Sequence, residues 1–87
     1  MHELGIANSL METVRREMAK LPGARLSKIG VRIGEFAAVD EASLRFCFET
    51  LARDTEMRDA VLAVERGQRD ELDLSYLEVE QHEPDPH

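Results

Sequence analysis

Three residues at the amino terminus, Met1, His2 and Glu3, supply nitrogen atoms at a spacing that suits a metal ion. The terminal amine closes a five-membered chelate ring with the backbone nitrogen of His2, and the imidazole Nδ1 closes a six-membered ring with that same nitrogen. The adjacent backbone nitrogen of Glu3 can supply a fourth ligand in the plane, and the Glu3 carboxylate can approach from outside it. Because planar nitrogen donors suit Ni(II) or Cu(II) better than Mg(II), Ca(II) or tetrahedral Zn(II), the spacing favours the first two ions.

A site of this kind depends on the protonation of the chain terminus. The amine must be deprotonated, and its reference pKa is about 7.7–8.0, so the affinity for metal should rise steeply with pH. We expect Met1 to remain in place, because the enzymes that remove an initiator methionine require a small second side chain and histidine is large. The alternative is structural: His2 is then the exposed residue before a helix, and Glu3 favours the positive end of the helix dipole.

Two further residues have a structural interpretation. Cys47, the only cysteine, lies between two phenylalanines, which is typical of a buried small side chain rather than a reactive thiol. Asp40 precedes an apolar run and, with Glu41 in the next position, fits the N-cap of a helix.

The remaining histidines, His82 and His87, belong to a tail over residues 81–87 that contains two prolines and no apolar residue. We expect this tail to be flexible. Its histidines could bind metal loosely with Glu83 and Asp85, but the ordering entropy would remove most of the affinity, so a solvated tail is favoured. Because all three histidines lie at the chain ends and no GxxxxGK phosphate loop occurs, we predict that the chain is not an enzyme.

Composition narrows the classes of partner. The 87 residues carry 18 acidic and 11 basic side chains, for a net charge of -7, which repels nucleic acid and anionic membranes and favours cations and basic protein surfaces. No stretch approaches the roughly 18 apolar residues that a membrane-spanning helix needs. The first segment also lacks the basic start of a secretory signal. We therefore expect one cytoplasmic domain with a thin core.

Hydrophobic periodicity predicts two helices. The first runs from Leu4 to Leu21 and is stopped by Pro22 and the glycine that follows it. We expect Leu4 to begin its buried stripe and so to anchor the amino terminus to the domain. The second helix begins after Asp40 and ends at about Arg53.

Alternation of apolar and polar residues predicts three strands. They lie at residues 26–34, 60–66 and 72–80. The interval 67–70 has a length suited to a hairpin loop, and a shift of parity near Ser75 indicates a bulge. Tight packing or a bulge explains Gly30 and Gly34 in the first strand. The order α-β-α-β-β predicts an α+β fold, a small three-stranded sheet with both helices packed on one face.

The start of the chain, Met1-His2-Glu3-Leu4-x-Ile6-Ala7, resembles the amino terminus of the HypA/HybF family, the nickel-insertion chaperones of NiFe-hydrogenase maturation. Gly5, where the family more often has a small hydroxyl residue or alanine, is a mild departure. Four later segments resemble family segments in the same order and spacing. They are Val31-x-Ile33-Gly34-Glu35-Phe36, Leu44-x-Phe46-x-Phe48-Glu49-x-Leu51, Ala60-x-Leu62-x-Val64-Glu65 and Leu74-x-Tyr76-Leu77-Glu78-Val79-Glu80.

One part of the family pattern is missing. Members carry a zinc-binding domain built on two CxxC pairs between the last two strands, whereas this chain has only a few residues between about 66 and 71. The resemblance therefore implies a nickel-binding domain over residues 1–80, followed by the flexible tail 81–87. The zinc domain is either naturally absent or deleted, and no zinc is expected in this chain.

The resemblance also implies a function. It makes His2 the essential Ni(II) ligand, with the Met1 amine and the backbone nitrogens of His2 and Glu3 completing the set, and with Glu3 and Asp40 as acidic residues that tune the site. The implied partners are a nickel-handling GTPase and the hydrogenase large-subunit precursor. The alternative is a protein-interaction or adaptor domain, self-associating as a homodimer by swapping its final strand, in which metal binding is incidental.

Overall fold

Two helices and three strands follow one another in the predicted order, and the computed structural model describes them over residues 3–81. Their bounds are α1 (Glu3–Met18), β1 (Ala24–Gly34), α2 (Glu41–Ala52), β2 (Val61–Gly67) and β3 (Leu72–Gln81). The α+β class and the element order are therefore confirmed. Within this range no helix combines the length and the apolar character that crossing a bilayer requires.

Helix α1 buries a shorter stripe than the sequence predicts. Ala7 and Val14 are completely buried, whereas Leu4 is 55% exposed and Leu21 is 36% exposed. The first turn projects past the core, whose α1 members begin at Ile6, so the prediction that Leu4 anchors the terminus is wrong. At the other end, the helix stops three residues before Leu21, and the chain reverses through a glycine with a left-handed φ of 85° before it enters β1.

Strand β1 is the centre of a mixed sheet with the order β2-β1-β3. It pairs in parallel with β2, where Ile29 faces Leu62, and antiparallel with β3, where Ile29 faces Leu77. The parallel pairing is possible because α2 carries the chain back between β1 and β2. Since β2 occupies one side of β1, β3 takes the other side, and these two edge strands do not pair with each other.

The expected hairpin between β2 and β3 is therefore wrong. The loop between them instead crosses the carboxyl end of β1, where the N–H of Gly34 donates to the Glu71 carbonyl at 2.8 Å and the N–H of Phe36 donates to the Arg69 carbonyl at 2.8 Å. An ideal Cβ added to Gly34 would lie 2.2 Å from the Arg69 carbonyl oxygen. The glycine thus makes room for the crossing, as the tight-packing interpretation requires.

The bulge predicted near Ser75 is confirmed. Gly30 pairs with Tyr76 and Val31 pairs with Leu74, so Ser75 has no counterpart on β1. A Cβ on Gly30 would lie 2.2 Å from the Tyr76 ring, which shows that the ring packs directly over the glycine. Both glycines of β1 are therefore sites of close approach.

A single core cluster joins both helices to one face of the sheet. In α2, Leu44 is completely buried and Phe48 is 1% exposed, while the Arg45 guanidinium donates to the Leu62 carbonyl of β2. Ile29 of β1 lies at the centre and is completely buried. The opposite face of the sheet carries charged side chains, for example Arg32, whose guanidinium lies 3.9 Å from a carboxylate oxygen of Glu65.

Candidate metal centre

The predicted metal motif enters the described part of the chain at Glu3, the first residue of α1, whereas Met1 and His2 lie outside the described residues. A residue that opens a helix has no carbonyl four positions earlier to which its N–H can bond. The backbone nitrogen of Glu3 is therefore not committed to the hydrogen-bond ladder of α1. This is what the predicted set of planar nitrogen ligands requires of it.

The Glu3 side chain is held in place by a residue far along the sequence. Its Oε2 accepts a hydrogen bond from the backbone N–H of Asp40 at 3.1 Å. This contact joins the start of α1 to the start of α2. It connects the first residue of α1 to the rest of the domain although Leu4 is exposed.

Asp40 is the N-cap of α2, as predicted from its position. Its backbone has extended dihedral angles, φ -82° and ψ 113°, and its Oδ1 accepts the N–H of Ser43 at 3.2 Å. Its carbonyl oxygen accepts the N–H of Leu44 at 2.9 Å, which is the first hydrogen bond of the helix. One oxygen of the Asp40 carboxylate is thus engaged in capping while its backbone N–H binds Glu3.

The environment of Glu3 favours its ionised form. The hydrogen bond from the Asp40 N–H is the main cause that lowers the pKa of the Glu3 carboxyl below its ordinary value, and the N–H of Glu3 itself acts in the same direction. Partial desolvation and the negative charge of Asp40 oppose this shift. The Glu3 side chain is therefore an ionised carboxylate at every pH at which a terminal amine can lose its proton.

Two helix N-termini meet at this place. Each carries a partial positive charge, which by itself disfavours a bound cation. Glu3 lies in the first turn of α1, and Asp40 with Glu41 occupies the start of α2. These carboxylates offset the two helix dipoles, so the electrostatic cost of placing a divalent cation beside the first residues is reduced.

Among residues 3–81, no three His, Cys, Asp or Glu side chains come together as a metal-binding group. Cys47 packs against the core and is only partly buried, which is less than its sequence context predicts. The tail histidines, His82 and His87, lie outside the described residues, as do Glu83 and Asp85.

The family resemblance implied that Glu3 and Asp40 tune one site, but neither it nor the residue pattern predicted the hydrogen bond between them. The available signal was an acidic residue at the start of each predicted helix. Nothing in the sequence specified that α1 and α2 begin at the same end of the domain. That relation follows from the packing of both helices on one sheet face.

The structure is a small α+β domain in which the side chain of Glu3, at the start of α1, is hydrogen-bonded to the residue that caps α2. A family model described as "Hydrogenase/urease nickel incorporation, metallochaperone, hypA" matches residues 1–70. The chain belongs to this HypA family.

Individual relatives agree with this assignment. The chain is 41% identical over 69 residues to the hydrogenase maturation factor HypA of Methanopyrus kandleri, a match that covers 77% of this chain and 49% of that protein. It is 38% identical over 66 residues to the HypA of Desulfatibacillum aliphaticivorans, covering 75% and 51% of the two chains. The chain therefore spans about half the length of these relatives.

A solved structure has the same fold. The solution structure of the Ni metallochaperone HypA from Helicobacter pylori superposes with a TM-score of 0.70 at 26% sequence identity, covering 77% of this chain and 58% of that one. The family match ends at residue 70, before β3 begins at Leu72. The resemblance of β3 to the last family strand accordingly stays a prediction.

Proposed function

We propose that this chain binds Ni(II) at its amino terminus and delivers it during the maturation of NiFe-hydrogenase. The ligands are the Met1 amine, the imidazole and backbone nitrogen of His2, and the backbone nitrogen of Glu3. The observation that carries the proposal is the hydrogen bond between the Glu3 carboxylate and the Asp40 N–H, in a chain of the HypA family. It holds the third residue of the motif in one place while its backbone nitrogen is left out of the helix ladder.

The proposed site suits transfer rather than storage. Ligands at a chain terminus can leave the metal one at a time, so a receiving protein can replace them stepwise without unfolding the domain. No reaction is catalysed. We place the exchange in the cytoplasm, with a nickel-handling GTPase and the hydrogenase large-subunit precursor as the partners.

The direct test is a titration of Ni(II) into protein that begins at Met1 with no added residue. We expect one equivalent to give the visible absorption of planar, diamagnetic nickel, and we expect His2→Ala to lose it. A variant with one glycine inserted ahead of Met1 is a matched control, because it keeps the imidazole but moves the amine out of register. Equal spectra and affinities in all three proteins would refute the proposal.

The proposed ligand set also predicts how nickel binding responds to pH. Between pH 6 and pH 8 the apparent affinity should rise by more than tenfold, because the amine and the backbone nitrogens must each lose a proton. Isothermal titration at several pH values measures this slope. A flat profile would indicate carboxylate ligands, because an imidazole with a pKa of about 6.5 also loses a proton over this range.

We further propose that residues 1–80 form the nickel-binding unit and that this unit carries no zinc. The supporting observation is that the loop between β2 and β3 is closed by hydrogen bonds to the end of β1. Elemental analysis of the purified chain should find less than a tenth of an equivalent of zinc. Stoichiometric zinc that survives dialysis against a chelator would contradict this part of the proposal.

A second candidate is self-association through exchange of β3. Arg69, in the loop that leads into β3, has a φ of 55°, a conformation that costs a non-glycine residue free energy. Opening this loop into an extended hinge would release that strain and allow β3 to pair with β1 of a second copy. Light scattering at increasing concentration should then show a dimer that Arg69→Gly weakens. A monomer at all concentrations would exclude this candidate.

A further inference from the structure

A groove opens between α1 and the beginning of β3, on the side of α1 that faces away from α2. Its apolar lining comes from Ile6 and Leu10 of α1 and from Leu72 and Leu74 of β3, with Val31 of β1 beneath them. Its cavity volume is about 660 Å³. This is space for several side chains, and the described part of the chain leaves it unfilled.

Small side chains form part of the helix wall of the groove. Gly5, Ser9 and Thr13 stand at successive intervals of four, so they lie along one side of α1, and all three line the groove. A Cβ on Gly5 would have no atom within 4 Å. Because these three side chains are small, a polypeptide backbone can approach the helix closely along this line.

The opposite wall is an open strand edge. In the described sheet β3 pairs only with β1, so its other edge presents unpaired backbone N–H and C=O groups to an incoming strand. The bulge at Ser75 divides this edge, and the apolar groove lies on the side of Leu72 and Leu74. An added strand would thus pair over a short stretch, with alternate side chains entering the groove.

The charge on this edge selects the partner. Asp73 stands between Leu72 and Leu74 and is exposed. Arg32 faces Asp73 across the β1–β3 ladder, but its guanidinium lies 3.9 Å from a Glu65 carboxylate oxygen on the other neighbouring strand. The net charge of the chain is -7. A basic side chain opposite Asp73 is therefore favoured, both locally and by the field of the whole domain.

We propose that this groove binds an extended segment of a partner protein in which a basic residue stands between two apolar residues. The segment pairs with the open edge of β3, its apolar side chains fill the space between α1 and Leu74, and its basic side chain meets Asp73. A second copy of this chain is a poor occupant, since symmetric pairing of two β3 edges about this point sets Asp73 against Asp73.

The groove includes a residue close in sequence to the proposed nickel ligands, although the binding of a partner segment in the groove requires no metal. Gly5 lines the groove and stands three residues along the chain from His2. A segment bound here lies beside the start of α1. If the proposed nickel site is correct, this surface brings the receiving protein to the metal; if that site fails, the groove can still bind its segment.

The test uses a heptapeptide that alternates lysine and valine as the probe, added to the isotope-labelled full chain. Amide NMR shifts should concentrate at Ser9, Thr13 and residues 72–74, and a heptapeptide that alternates glutamate and valine should bind at least about tenfold more weakly. Ser9→Arg places bulk and positive charge in the groove from an exposed helix position, and it should weaken lysine–valine binding by a similar factor. Asn8→Arg, one residue earlier and exposed on another side of α1, is the matched control and should bind normally.

Several results would overturn the proposal. They are an absence of shifts with the lysine–valine peptide, equal binding of the two peptides, unchanged binding by Ser9→Arg, and shifts that centre on residues 61–67 of the other edge strand. A concentration-dependent dimer that Ser9→Arg abolishes would also overturn it, because the groove would then belong to a second copy. Nickel titrations of the same variants distinguish a failure of the groove proposal from a failure of the nickel proposal. Ser9→Arg should bind the lysine–valine peptide more weakly but bind Ni(II) as the unaltered chain does.

Discussion

The carboxylate of Glu3 accepts a hydrogen bond from the backbone N–H of Asp40, 37 positions later in the chain, at 3.1 Å. This contact ties the first turn of α1 to the N-cap of α2. It holds the acidic side chain of Glu3 at the start of α1, a connection to the domain that the exposed Leu4 does not provide.

Replacement of Glu3 by glutamine should destabilise the domain in a pH-dependent way. The folded-state pKa of Glu3 lies below its ordinary value of 4.5, mainly because of the Asp40 N–H, so the carboxylate contributes stability above the unfolded-state pKa. That contribution is lost as the pH falls through the lower, folded-state pKa. Urea unfolding should therefore show a lower midpoint for Glu3→Gln at pH 7 and equal midpoints at about pH 2.

Glu12→Gln, an exposed change on the same helix, is the control for the effect of charge on α1 in general. If the difference between Glu3→Gln and the unaltered chain stays the same from pH 7 to pH 2, the Glu3–Asp40 hydrogen bond does not depend on the ionised carboxylate.

Substitutions of Asp40 separate its capping role from a role at the metal. Asp40→Ala removes the acceptor for the Ser43 N–H and should cost about 1 kcal/mol of unfolding free energy. Asp40→Asn keeps an N-cap acceptor and removes only the charge, so its stability should stay close to that of the unaltered chain. If Asp40 tunes the nickel site, Asp40→Asn weakens Ni(II) binding about as much as Asp40→Ala does. Full nickel affinity in Asp40→Asn would leave Asp40 with capping alone.

Truncation of the two phenylalanines of α2 should change the free energy of unfolding by very different amounts. Phe48 is 1% exposed, so Phe48→Ala leaves a cavity in the core and should cost about 3–5 kcal/mol. Phe46 is 67% exposed on the same helix, and Phe46→Ala should change the stability by less than about 0.5 kcal/mol. Thermal or urea unfolding measures both. Similar losses for the two variants would mean that the outer face of α2 is covered in solution.

The two glycines of β1 test the crossing loop. In Gly34→Ala the added methyl group would meet the Arg69 backbone at 2.2 Å, and a backbone carbonyl held by the Phe36 N–H has little room to move. We expect a loss of about 3 kcal/mol. In Gly30→Ala the obstacle is the ring of Tyr76, a side chain that can rotate away, and the loss should be about 1 kcal/mol. The reverse order would show that the loop is not fixed across β1.

Local features of the chain could be predicted from the sequence because each depends on neighbouring residues. The helical stripe from Ala7 to Val14, the N-cap at Asp40 and the bulge at Ser75 all follow from spacing and residue type within a few positions. The chelating geometry of Met1, His2 and Glu3 is likewise a property of adjacent atoms, and it is proposed from the sequence alone.

Relations between distant segments were decided only by the tertiary structure. Periodicity predicts that β2 and β3 are strands but does not say which strand each one pairs with. The short interval between them suggested that they pair as a hairpin, whereas in the sheet β1 lies between them. The exposure of Leu4 and the meeting of Glu3 with Asp40 have the same origin. Both depend on where α1 and α2 begin on a shared sheet face, and that is fixed by the packing of the whole core rather than by any local pattern.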